Sequence, residues 1–314
     1  MNFMTRRLVI TIITLFLVSV FTFAAFTVIP GDPALIMAGI ETTEEQLAAV
    51  RSELGLDRSL PTQYVSWLGR FLTGNLGNSV RFRGASITGL VIERLPVTFS
   101  LAALSFLFIL LISIPAALFP APREHSLQDR FVNTFITINI SLPGFFSGVL
   151  FIWVFGILLK FFTPGSYVSY RENVPAFLGY LLFPALAIAA PNAAVVVKFL
   201  RGSLLQELRS DYVRTAYSKG ASRGRVLYRH VLKNAVIPAI TLLGMIIGDI
   251  FSGSIVIEQV FGIPGIGRLL IASIASRDYP LAQTLVVYIA CIVILANTSV
   301  DIAIQMIDPR IRVK

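Results

Sequence analysis

Cysteine, histidine and charge are all scarce in this 314-residue chain, and each scarcity removes a class of function. Cys291 has no second cysteine to pair with, so neither an intrachain disulfide nor a cysteine-based metal centre can form. The two histidines, His125 and His230, fall in separate polar segments, which leaves no material for a buried Ser-His dyad or a histidine metal site. The dipeptide Gly-Lys does not occur, so a Walker-type phosphate loop is excluded and the chain does not bind ATP by that route. Only 14% of residues are charged, against 55% hydrophobic, and the mean hydropathy is +0.79. No soluble domain hides that much apolar surface.

What is present in quantity is long apolar runs. A membrane-crossing helix needs roughly 20 apolar residues, because every backbone hydrogen bond must be closed within the segment. Six stretches qualify, near 8–29, 97–119, 135–159, 177–197, 235–257 and 281–303, and only the last two carry a charge, Asp249 and Asp301. With the N-terminus inside, 16 of the 26 basic residues fall in cytoplasmic segments, so the positive-inside rule predicts both termini in. Arg6 and Arg7 before an apolar run resemble a signal peptide, but the run is too long and no small-residue cleavage site follows, so the first span is expected to be retained. The net charge of +9 follows from this topology, and nucleic acid is not expected as a partner.

The organisation read from these runs is an all-α membrane protein of six spans. Residues 1–30 form the first span, 31–96 an external helical segment, 97–308 a core of five spans, and 309–314 a cytoplasmic tail. In the external segment, Thr43 and Gln46 form a capping box for a helix that Gly55 stops. A second helix follows Pro61 with Tyr64, Trp67, Leu68 and Phe71 on one face, and a third is predicted over Ser86–Leu95, ending at Pro96. These three helices are expected to cover the outer mouth. Phe261-Gly262-Ile263-Pro264-Gly265-Ile266-Gly267 reads as a tight turn before span six, not a dinucleotide loop.

Within the spans, Asp249 is the most costly residue, roughly 3 kcal/mol on insertion scales. It either lines a translocation route, with Ser252, or is held between helices with Ser252 or Ser254 in support. Gly248-Asp249 is half of an aspartyl intramembrane protease pattern, but Ile246 stands where the other glycine belongs. Small residues at Gly244, Gly248 and Ser252 give span five one face open to close approach, at a subunit interface, at the pore, or within the chain itself. Prolines at 115, 143, 184 and 191 predict bends in the spans.

The segment from Lys198 to Asn234 carries nine Lys or Arg against two acids and reads as a cytoplasmic docking loop. Its residues Asp211-Tyr212-Val213-Arg214-Thr215-Ala216, Lys219-Gly220 and Arg229-His230 resemble the permease subunits of ATP-binding-cassette importers, in the dipeptide, oligopeptide and nickel branch. Further matches run along almost the whole chain: Ile29-Pro30-Gly31-Asp32-Pro33, Leu54-Gly55-Leu56-Asp57, Gly74-Asn75-Leu76-Gly77, Glu93-Arg94-Leu95-Pro96, Pro264-Gly265-Ile266-Gly267-Arg268-Leu269, Arg277-Asp278-Tyr279-Pro280 and Asp308-Pro309-Arg310.

The resemblance implies that the loop carries the EAA motif, a helix, a glycine turn and a second helix that dock into a cleft on an ATPase. Ala216 and Gly220 match it, Arg214 and Thr215 replace its first Glu and Ala, and Lys233 stands at its later Pro. Asp211, Arg214, Ala216, Lys219, Gly220 and Ser222 are the implied ATPase-coupling residues. The resemblance further implies a non-catalytic subunit in a bacterial or archaeal inner (plasma) membrane. Its partners would be a second homologous permease, two ATPase subunits that bind the ATP and Mg, and an extracytoplasmic binding protein. Peptides are the implied cargo, with nickel chelates or glutathione as alternatives in the same branch. A stand-alone secondary transporter or channel is the competing class, but the sequence has no evident internal repeat and only one midspan acid.

Overall fold

The structure, a computed structural model, describes residues 3–29, 34–35, 43–82, 84–121 and 124–307. The Pro30–Pro33 match, the Asp308-Pro309-Arg310 match and the 309–314 tail lie outside them. The described elements are helices: α1 (Phe3–Val28), α2 (Glu44–Leu54), α3 (Leu60–Leu72), α4 (Ile87–Leu118), α5 (Leu127–Ser141), α6 (Gly144–Phe151, continued by a π-helical stretch Ile152–Leu158), α7 (Val174–Leu208), α8 (Asp211–Ser218), α9 (Arg223–Val226), α10 (Leu232–Phe261), α11 (Ile266–Ala275) and α12 (Tyr279–Ile307). Five helices are long and apolar enough to cross a membrane, and six spans result if the pair Leu127–Ser141 and Gly144–Leu158 counts as one. That pair is bent by 108° at Leu142-Pro143, where the proline ends the ladder. By contrast Pro184 and Pro191 lie inside α7 without ending it.

The chain divides into two compact units, Met1–Thr98 with Pro264–Leu295, and Phe99–Ile263 with Ala296–Lys314. In the first, α2 follows the sequence closely. Thr43 and Gln46 close the capping box, and Gly55 caps the end at φ +69°. The face of α3 that carries Tyr64, Trp67 and Phe71 lies along α1 and α12. Tyr64 meets Phe16 and Phe23, Phe71 meets Tyr288, and the Tyr64 hydroxyl shares a 2.8 Å hydrogen bond with Ser19. This helix thus packs along α1. No third short helix ends at Pro96. α4 runs through it from Ile87 to Leu118, because Ile87 and Val91 on one side and Val97 and Leu101 on the other are buried, which outweighs one lost backbone bond. The helix that holds the second apolar run therefore starts at Ile87, before residue 97.

Asp278 organises the rest of this unit. Wholly buried, it accepts from Ser79 Oγ at 2.5 Å, from the Arg81 N–H at 3.1 Å, and from the Leu281 N–H at 3.3 Å in the first turn of α12. The Arg277-Asp278-Tyr279-Pro280 match is in this way a helix start that also anchors a distant loop.

In the second unit α7 is the central helix, buried along most of its length against α5, α6 and α10. Gly148 of α6 sits so close to α10 that an added Cβ would lie 2.8 Å from Ile257 Cδ1. The Tyr180 hydroxyl donates to the Phe261 carbonyl at 2.6 Å and accepts from the Gly165 N–H at 3.0 Å. Asp129 of α5 and Arg201 of α7 form an ion pair at 2.6 Å with side chains only 5% and 18% exposed.

Candidate functional site

The α8–α9 loop is a helix, a glycine turn and a second helix. α7 outlasts its apolar stretch, so Lys198 to Leu208 are helical and the connection proper begins at Arg209. α8 is amphipathic: Val213 is buried and Ala216 half-buried against a cluster that includes Leu118, Leu200, Leu204 and Val231, while Asp211, Arg214, Thr215, Tyr217 and Ser218 face out. Ala216 is small here because α8 lies close on the chain's own core. Asp211 sits at the helix N-terminus, where the dipole favours it. Its 3.7 Å pairing with Arg214 is fully exposed and contributes little.

The end of α8 explains the spacing of Ala216 and Gly220. The Gly220 N–H donates to the Tyr217 carbonyl at 2.9 Å and the Ala221 N–H to the Ala216 carbonyl at 3.1 Å, the two bonds of a Schellman motif. Gly220 holds φ +79° with open space around it, so the requirement for glycine is conformational, not steric. Ala216 and Ala221 both rest on the apolar cluster, which supplies the hydrophobic contact that accompanies such caps. Ser222 is the extended residue before α9, and its carbonyl accepts from Val226 at 3.0 Å. From Arg223 to Phe261 the chain is one uninterrupted helical run of 39 residues, passing through the π-helical stretch Leu227–Val231.

Tyr212 ties three helices together. Its hydroxyl donates to the Glu207 carboxylate at the end of α7 and accepts from Asn234 Nδ2 in α10 at 3.3 Å. Partial burial, then the adjacent Glu207 carboxylate, raises the Tyr212 pKa above the ordinary tyrosine value. Arg209 reaches Glu124 at 3.3 Å, across to the segment before α5. Arg214, Lys219, Arg223, Arg225, Arg229 and Lys233 are all exposed, giving the loop a cationic outer surface over an apolar underside.

Asp249 and Ser252 lie far along the same 39-residue run, and both are exposed. Neither serine considered as a support reaches the carboxylate, since Ser252 Oγ donates to the Gly248 carbonyl and Ser254 Oγ to the Phe251 carbonyl. With Thr241, Met245, Val256 and Gln259, also exposed, they form one stripe of α10 that this chain leaves uncovered. The small-residue face divides: Gly244 and Gly248 are buried within the chain, and only Ser252 belongs to the open stripe. Asp211 to Ser222 thus belong to α8 and its turn, ahead of the helical run that bears Asp249 and Ser252.

Sequence reasoning passed over Glu258, which is wholly buried one turn before the end of α10, and the Asp129–Arg201 pair. Ser126 three positions before Asp129 signalled a helix start, which the structure has, but nothing local pointed to Arg201. Among the described residues no group of three His, Cys, Asp or Glu side chains could hold a metal ion.

Residues 110–313 match the family described as the binding-protein-dependent transport system inner membrane component, and residues 1–102 match its N-terminal companion. The chain belongs to that family. This permease is 38% identical, over 99% of both chains, to a probable peptide ABC transporter permease of Sinorhizobium fredii. It is 35% identical to a putative peptide permease of Brucella ovis, covering 100% of this chain and 99% of that one. It is 32% identical to the oligopeptide transport system permease protein AppB of Bacillus subtilis, over 98% of each. A crystal structure of an amino acid ABC transporter with histidines shares the fold, with a TM-score of 0.52, 17% identity, and coverage of 71% of this chain and 95% of that one. The permease is accordingly an integral membrane subunit of an ATP-binding-cassette importer.

Proposed function

We propose that this permease forms half of a translocation path for peptides, which an extracytoplasmic binding protein delivers and two ATPase subunits drive, with a second homologous permease completing the path. The observation that carries the reading is the α8–α9 loop: a cationic surface set on a rigid glycine-capped turn and continuous with the α10 helix that bears Asp249. The relatives named as peptide permeases support peptides as cargo. The excess of cations in the loop supports its cytoplasmic placement, with both termini inside.

In this mechanism Arg214, Lys219 and neighbouring cations pair with acids on the ATPase, while Val213, Ala216 and Ala221 clamp α8 to its own bundle. ATP and Mg bind between the ATPase subunits, which draw the two loops together. Because the run from Arg223 to Phe261 is helical throughout, a displacement of the loop passes along α10 to Asp249 and Ser252. Those two face the path, where a carboxylate roughly 3 kcal/mol too costly for lipid is solvated by water or by the cargo amine. The permease contributes shape and coupling and performs no bond chemistry.

The test is Gly220→Val in the reconstituted importer, beside the surface variant Lys219→Glu. Both are expected to abolish peptide stimulation of ATPase activity and to weaken co-purification of the ATPase subunits, with the permease still inserted. Normal coupling in both variants would overturn the docking assignment.

A further inference from the structure

Between α5 and α7 lies a cavity of about 410 Å³ that the transport reading does not use. Asn133, Thr137 and Ser141, on one stripe of α5, face Lys198 and Arg201 of α7 across it. Arg201 is committed, since its Nε and Nη2 both reach Asp129 Oδ1, at 2.9 and 2.6 Å. Lys198 is exposed and has no ion-pair partner among the described residues, so it carries the uncompensated charge of the cavity. The hydroxyls of Thr137 and Ser141 donate to carbonyls of their own helix at 2.9 and 2.8 Å, so neither donor needs a partner in the cavity.

The depth of this cavity is informative. Lys198 lies just past the apolar stretch 177–197 of α7, eleven residues beyond the middle of that stretch and about 16 Å along the helix axis. The hydrocarbon half-thickness is about 15 Å, so a lysine stem reaches the headgroup boundary from there. Ile138 and Ile140, further along α5 from Asn133, are exposed and apolar.

From these juxtapositions we infer that the cavity is a binding site for an anionic glycerophospholipid. The phosphate sits against Lys198 and the Asn133 amide, and an acyl chain runs inward from there along Ile138 and Ile140. The site is independent of what the permease transports.

Native mass spectrometry of the complete transporter, incubated with equal phosphatidylglycerol and phosphatidylcholine, tests it. The wild type retains phosphatidylglycerol preferentially, and excess inorganic phosphate does not displace it. Lys198→Gln lowers that retention about fivefold, the worth of one cation facing an anionic lipid. Lys198→Arg restores it, and Lys233→Gln, an exposed lysine outside the cavity, leaves it unchanged. Equal retention by Lys198→Gln, an equal loss in Lys233→Gln, displacement by phosphate, or a raised KM for peptide uptake in Lys198→Gln with lipid retention intact would each overturn the assignment.

Discussion

Ser79 and Asp278, 199 positions apart in sequence, share a buried hydrogen bond of 2.5 Å, and the same carboxylate receives backbone N–H groups from Arg81 and from the first turn of α12. One side chain thereby fixes both the loop before α4 and the start of the last span. Removing it leaves buried donors without partners, which costs more than the bonds themselves contributed. Asp278→Ala is expected to destabilise the permease by about 3 kcal/mol, and Asp278→Asn by less, since its amide oxygen still accepts. Thermal unfolding of the purified complex measures both, and equal melting temperatures for Asp278→Ala and wild type would refute the anchoring role.

The Asp129–Arg201 pair makes a second prediction. Arg201→Gln strands a carboxylate that is only 5% exposed and should cost about 3 kcal/mol, whereas adding Asp129→Asn restores much of the loss. Comparing the two single variants with the double variant measures this. Purely additive losses would show that the two side chains do not act as a pair.

Gly148 tests packing alone. Ala at this position crowds the flexible end of Ile257, at 2.8 Å, and makes ordinary contact with Phe261 and Val260 at 3.4 and 3.5 Å, so it should be tolerated with a small shift of Ile257. Gly148→Leu overfills the α6–α10 contact and should cost about 2 kcal/mol. A companion Ile257→Ala change should relieve it, and failure to do so would place the strain elsewhere.

Tyr212 predicts a pH dependence. Its pKa is raised in the folded protein, by burial first and by Glu207 next, so the neutral phenol is the stabilised form. That contribution is complete below the unfolded tyrosine value of about 10 and is lost as pH rises through the higher folded value. Tyr212→Phe removes the hydroxyl, so the stability difference between wild type and variant should narrow above about pH 10. A difference that stays constant through that range would exclude the phenol as its source.

Several features were written in the sequence because they are local. The capping box at Thr43 and Gln46, the glycine stop at Gly55 and the helix after Pro61 depend on residues within one turn of each other. The span count was equally legible, since it rests on the length of apolar runs. Pro143 was a visible bend signal, but its 108° magnitude was not. Pro96, which looks the same on paper, is carried through a 32-residue helix because buried neighbours on both sides hold it. A proline removes one donor, and whether the helix ends there is decided by what packs around it.

The sequence by itself determined that this is a membrane protein, which runs are apolar enough to span, where the cationic loop falls in the chain and which glycine turns it, because hydropathy, charge and backbone freedom are properties of short stretches. Only the tertiary structure decided which face each helix presents: that Ala216 rests on its own bundle, that Gly244 and Gly248 are internal while Asp249 and Ser252 stay open, and that Asp129 meets Arg201. Side-chain partnership across helices depends on rotation and register. Those are set by packing between residues far apart in the chain, which no local pattern encodes.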